Sequence, residues 1–258
     1  MKYFVVDAFS DKHFGGNPAG VCLLDKPLDE TVMQRIAFEN NLSETAFLLK
    51  QDGYYDLKWF TPETEIDLCG HATLASAFVL MNFIELGVEM VDFDTLSGTL
   101  TVNRNDDMYL MNFPSHKPSP CAKPDALEEA LGVNVLETHR ARDMLALVES
   151  ESAVRELKPD LLKLGTIRDV FAFIVTAKGT DCDFVSRFFA PNAGIPEDPV
   201  TGSSHTILTP FWTERLGKKE LSARQLSRRG GVLACRDLEN RVEIGGKAIL
   251  YLDGEIKI

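Results

Sequence analysis

At 258 residues, 45% hydrophobic and 26% charged, the chain has an ordinary globular composition and enough length for two lobes, which excludes disorder. A net charge of -12 and a sequence pI near 4.9 exclude a broad phosphate-tracking surface: the densest basic stretch, Lys218, Lys219, Arg224, Arg228 and Arg229, is short and has Glu214 and Glu220 among it. No nucleic-acid partner is therefore expected. Nor is a membrane partner, because the apolar stretch at 72–83 is interrupted by Thr73, Ser76 and Asn82 and falls short of the ~20 residues that span a bilayer.

The opening residues 1–7 turn charged too soon for a secretory segment, and five scattered cysteines without a C-x-x-C pair suggest neither a disulfide framework nor a zinc ribbon. A reducing, cytoplasmic location is expected.

In chain order, residues 3–9 read as a strand, and Gly15-Gly16-Asn17-Pro18-Ala19-Gly20 as a turn before a short strand at 21–24. Residues 29–40 read as a helix with Val32, Met33 and Ile36 on one face and Asp29 as its cap. A strand at 45–49 follows. Tyr55, Leu57 and Trp59 then alternate with Asp56 and Lys58, the period of a half-buried strand. Residues 70–86 read as a long apolar helix buried on most sides, and strands recur around Val91, Leu100 and Tyr109. Ser115, Pro118, Ser119, Pro120 and Pro124 mark a linker, so lobes at 1–116 and 117–258 are expected, with the closing strand crossing back to the first. Strands follow near Met144, Ala172 and Phe184, then a Pro- and Gly-containing loop at 191–202, an apolar helix to about Leu216, and closing strands.

The two halves share landmarks. Phe60-Thr61-Pro62 and Phe189-Ala190-Pro191 lie 129 residues apart, Gly70 and Gly202 at the head of each apolar helix 132, and the Gly turns at Gly98 and Gly231 133. A common order of strand, loop, helix and turn at nearly one offset predicts a duplicated α+β unit, two pseudo-symmetric lobes each wrapping a sheet around a central helix. Each of these helices begins on a glycine, where unsatisfied N–H groups favour an anion.

Three segments can carry chemistry. In Asn41-Leu42-Ser43-Glu44-Thr45-Ala46-Phe47, Glu44 sits at the edge of an apolar strand, where partial desolvation would raise its pKa and suit it to acid–base work. In Asp67-Leu68-Cys69-Gly70-His71-Ala72, His71 falls in the first helical turn, where the helix dipole favours a neutral ring. The spacing of Asp67, Cys69 and His71 matches no zinc pattern, and no metal is expected. In Glu197-Asp198-Pro199-Val200-Thr201-Gly202-Ser203-Ser204-His205, Asp198 is held extended before proline, and Gly202 and Ser203 offer N–H groups and a hydroxyl to an anion. Taken singly, each segment also fits an ordinary helix cap. His205, one turn into its helix, is a weaker candidate. Neither a dinucleotide nor a nucleoside-triphosphate loop is present, and a nucleophile elbow is absent.

Together these segments resemble the PhzF (phenazine biosynthesis-like) family of the diaminopimelate epimerase-like superfamily. The resemblance rests on Gly16-Asn17-Pro18, on Asn41 to Phe47 as N-L-S-E-T-A-F, on Gly70-His71-Ala72 and on Glu197 to Ser204 as E-D-P-V-T-G-S-S, in that order. It implies two similar α+β lobes with the active site between them, and proton transfer without cofactor or metal on a small, carboxylate-bearing metabolite. It also implies Glu44, His71 and Asp198 as catalytic residues and Ser43, Asn17, Gly70, Gly202 and Ser203 as substrate-binding ones. The superfamily's two-thiol epimerases carry a cysteine before each helix-opening glycine; here those positions hold Cys69 and Thr201, which leaves both as minor candidates. The expected protein is an isomerase, monomeric or homodimeric. An amino- or hydroxy-acid racemase or epimerase, and a non-catalytic small-acid binding protein, are the alternatives.

Overall fold

The structure, a computed structural model, describes residues 1–258. It divides into two compact units, residues 1–112 with 245–258, and residues 113–244.

The first unit contains β1 (Lys2–Ala8), β2 (Asn17–Leu24), α1 (Glu30–Asn40), β3 (Glu44–Lys50), β4 (Tyr55–Phe60), β5 (Glu65–Ile66), α2 (Gly70–Val79), β6 (Met90–Thr95) and β7 (Gly98–Asn105). Strand β8 (Met108–Pro114) contains the boundary with the second unit. The second unit continues with β9 (Ser119–Pro120), α3 (Leu127–Leu131), β10 (Glu137–Arg140), β11 (Met144–Leu147), α4 (Glu151–Arg155), α5 (Leu161–Leu164), β12 (Phe173–Lys178), β13 (Phe184–Ala190), β14 (Ile195–Asp198), α6 (Gly202–Leu216), β15 (Glu220–Gln225) and β16 (Gly231–Asp237). Strand β17 (Arg241–Gly246) contains the other boundary, and β18 (Ala248–Glu255) returns to the first unit to pair with β1, Lys2 opposite Glu255.

Strand pairing gives the duplication its physical form. In the first unit β1–β2 is antiparallel, β2–β3 parallel, β3–β4 and β4–β5 antiparallel, β4–β6 parallel and β6–β7 antiparallel. In the second unit β10 to β16 repeat that sequence of pairings in the same order. Helices α2 and α6 occupy corresponding places, each between the short strand and the parallel-paired one. The class is α+β.

Local chemistry explains the elements. Asp29 accepts from the Thr31 amide at 2.8 Å and caps α1, which closes on Asn41 in the left-handed region at φ 49°. Tyr55, Leu57 and Trp59 are buried on β4 while Lys58 turns out to Glu30 and Glu65. Burying each such apolar side chain contributes about 1.5–3 kcal/mol.

Helix α2 is regular only to Val79, not to 86. It widens into a π turn at Leu80–Ile84, because Asn82 Nδ2 takes the Phe78 carbonyl at 2.7 Å and reaches Tyr109 Oη at 2.6 Å. In α6, Pro210 withholds the N–H that Thr206 O would accept; the His116 amide supplies one at 3.0 Å, so the helix runs on to Leu216. The loop expected at 191–202 contains a strand. Pro196 and Glu197 are poor strand formers, and β14 exists because β13 pairs with it, Phe188 opposite Asp198.

Candidate active site

In the first unit, β2, β3 and the head of α2 bring four candidate residues together. Asn17 opens β2 and Glu44 opens β3; the parallel register sets Ala19 opposite Glu44, so Asn17 and Glu44 lie at the same end of the pair. Only glycine fits just before, because a Cβ on Gly16, at φ +64°, would meet Ala8 O at 2.1 Å. His71 is the second residue of α2, and Cys69 is its extended cap residue, whose side chain makes no capping bond.

His71 is the hub. Its Nε2 lies 2.9 Å from Glu44 Oε2, with side-chain exposures of 7% and 12%. Its Nδ1 lies 3.3 Å from Asn17 Nδ2 and 3.5 Å from Cys69 Sγ. An asparagine amide offers either a donor or, turned over, an acceptor, so Asn17 suits both states of Nδ1.

Burial pulls the His71 pKa down, but Cys69 and then Glu44, by electrostatics and hydrogen bonding, outweigh it, and the ring is held well above its ordinary value. The shift runs opposite to the neutral ring that the helix dipole alone favours, because Cys69 and a carboxylate at contact distance act on the ring. The Cys69 thiol is raised, by burial first and then by Glu44, with His71 opposing. Glu44, Cys69 and His71 place donor atoms within 4.8 Å of one another. Glu44 meets Nε2 and Cys69 meets Nδ1, however, and one ion can use only one ring nitrogen, so a shared metal requires a partner to swing round the ring. Ser43 and Gly70 directly precede Glu44 and His71 in the chain.

In the second unit, Asp198 ends β14 and Thr201 caps α6, and the Thr201 hydroxyl donates to Asp198 Oδ2. Glu197 makes a two-pronged ion pair with Arg187, at 2.6 and 2.9 Å, anchoring β14 to β13. Gly202 is buried and Ser203 half-buried at the start of the helix.

His205 is a core residue. It is fully buried, its Nδ1 lies 2.8 Å from Thr201 O, and burial lowers its pKa to about 4.

Sequence reading missed two neighbours. Gln225, fully buried on β15, binds both Asp198 and Thr201. Arg142 lies over the Phe171 ring at 5.1 Å and donates to Ser203 Oγ at 3.1 Å. It is gripped by the fully buried carboxylate of Asp143 at 2.9 and 2.7 Å. An Arg-Asp pair is a common surface feature in sequence; only the burial of Asp143 marks this one.

A family model described as phenazine biosynthesis-like protein (PhzC-PhzF) matches residues 6–254. A Pseudomonas aeruginosa protein named as an uncharacterised isomerase is 49% identical, over 100% of this chain and 99% of its own. The crystal structure of a PhzF-family protein from Enterococcus faecalis matches with a TM-score of 0.98 at 47% identity, covering 100% of this chain and 99% of that one. A hydroxyproline epimerase from Agrobacterium vitis, with trans-4-hydroxy-L-proline bound, matches with a TM-score of 0.65 at 12% identity over 98% and 91%, a likeness of fold alone.

Proposed function

The chain belongs to the phenazine biosynthesis-like (PhzC-PhzF) family, and from that premise we propose that it is an isomerase that moves a proton on a small, carboxylate-bearing metabolite, with Glu44 as the acid–base group. One observation carries the reading: a half-buried carboxylate and a buried imidazole 2.9 Å apart, placed by two separate elements.

The chemistry follows from that pair. With His71 charged, Glu44 is a carboxylate ready to accept. It takes a proton from a carbon made acidic by a neighbouring carbonyl or double bond and becomes neutral. The charge of His71, now without its counter-ion, favours the enolate-like anion that has formed. Glu44 then returns the proton to a different carbon, and the ion pair is restored. These groups suffice for the step without a cofactor. Cys69, held as a thiol, is assigned no proton transfer.

A carboxylate-bearing substrate is supported by the second unit. Arg142, oriented by Asp143, and Ser203 at the head of α6 form a charged donor set suited to a carboxylate. Asp198 is assigned to the substrate's polar groups.

The test is deuterium incorporation at carbon. The protein is incubated in D₂O with pooled small-metabolite extract, and masses are read for wild type and Glu44→Gln. A metabolite labelled by wild type alone supports the proposal and identifies the substrate. Binding of an acid with no labelling in any extract would favour the binding-protein reading instead.

A further inference from the structure

Gln225 is fully buried, and both ends of its amide face main-chain groups of fixed polarity. Its Oε1 lies 2.9 Å from the Thr201 N–H, which can only donate. Its Nε2 lies 2.7 Å from the Asp198 carbonyl oxygen, which can only accept. The orientation of a side-chain amide is ordinarily ambiguous; here two backbone groups determine it.

The second hydrogen on Nε2 is directed to Thr201 Oγ1 at 3.2 Å. A threonine hydroxyl has one hydrogen. Since Oγ1 accepts from Gln225, that hydrogen is available for the other neighbour, Asp198 Oδ2, to which the hydroxyl donates.

We infer that Gln225 and Thr201 form a polarity relay that fixes Asp198 as a hydrogen-bond acceptor, holding it as a carboxylate that receives an N–H or O–H from a bound molecule. Gln225 is a positioning residue, acting through Thr201. The hydroxyl at the cap position of α6 thus directs a neighbouring carboxylate, a task distinct from proton transfer.

Glu197, on the same strand, is bound by Arg187 of β13. On α6, His205 turns Nδ1 to the Thr201 carbonyl, and Arg142 reaches Ser203. Strand β15 contributes the uncharged Gln225. The step from this relay to turnover rests on the role proposed above for Asp198, but the polarity itself is measured without substrate.

The experiment is a carbon-13 NMR titration of the side-chain carboxyl groups in selectively labelled protein, with the Asp198 signal assigned by its loss in Asp198→Asn. Thr201→Val keeps the shape and removes the hydroxyl; it should raise the Asp198 midpoint by about one pH unit, a tenfold gain in proton affinity. Thr201→Ser should restore the wild-type midpoint. Gln225→Met, which frees the hydroxyl to turn away, should move the midpoint in the same direction by a smaller amount. A midpoint unchanged in Thr201→Val or in Gln225→Met overturns the inference, as does a Thr201→Ser variant that behaves like Thr201→Val. Failure of deuterium labelling in wild type would overturn the proposed function and leave this titration unaffected.

Discussion

His71 and His205 occupy similar places and are shifted in opposite directions. Each lies in the first turns of the central helix of its unit, each is buried, and each turns Nδ1 toward the residue that caps its helix. They differ at Nε2. His71 has the Glu44 carboxylate at 2.9 Å; His205 has no carboxylate there and lies beside the ring of Phe184. Burial favours the neutral form of both. Glu44 and Cys69 reverse that preference at His71, and nothing reverses it at His205. The groups that face the ring, rather than burial or helix position, set the direction in which such a histidine shifts.

The most severe way to break the contrast is to neutralise the partner. Glu44→Gln should reduce turnover by a factor of about 10² to 10⁴, the range a positioned acid–base group supplies. Initial rates of deuterium incorporation against wild type check it.

The sharpest stability effect lies at His205. Its ring titrates near 6.5 when unfolded and near 4 when folded. The folded form therefore refuses a proton that the unfolded chain accepts. The associated stability is complete above pH 6.5 and is lost as pH falls toward 4, about 3 kcal/mol in all. Denaturant titrations across that window should show the slope in wild type and its flattening in His205→Asn.

Arg142 sharpens the contrast between the roles proposed for the two units. Arg142→Met should raise KM for a carboxylate substrate by about 10- to 100-fold, as expected for a lost charge-assisted hydrogen bond, with kcat little changed. Steady-state kinetics on the metabolite found by labelling would show the split.

The smallest effect is a change of sign. The folded pKa of His71 is raised, so its ion pair stabilises fully below pH 6.5 and the contribution is lost as pH rises through the raised value. Relative to His71→Gln, wild type should lose stability on the alkaline side, opposite in direction to His205.

Much of this was legible in the sequence because local chemistry wrote it there. Asp29 reads as a cap and is one, Tyr55, Leu57 and Trp59 alternate as a half-buried strand must, and the duplicated glycines head the two helices. The segments around Glu44, His71 and Asp198 were each visible. What was hidden depends on partners distant in the chain. Gln225 is an unremarked polar residue on a strand until β15 sets it beside Thr201, 24 residues earlier. Strand β14 exists only through β13, and the upward shift at His71 depends in part on a residue 27 positions earlier in the chain, where the helix dipole alone pointed to a neutral ring.

The central claim, that the Glu44 carboxylate sets the state of His71 and works with it, is tested most directly by nitrogen-15 NMR of the imidazole rings through neutral pH, in wild type and in Glu44→Gln. The account predicts a His71 ring that stays protonated in wild type and becomes neutral in the variant, while His205 stays neutral in both. A His71 ring that is neutral in wild type, or unchanged by the substitution, would contradict it.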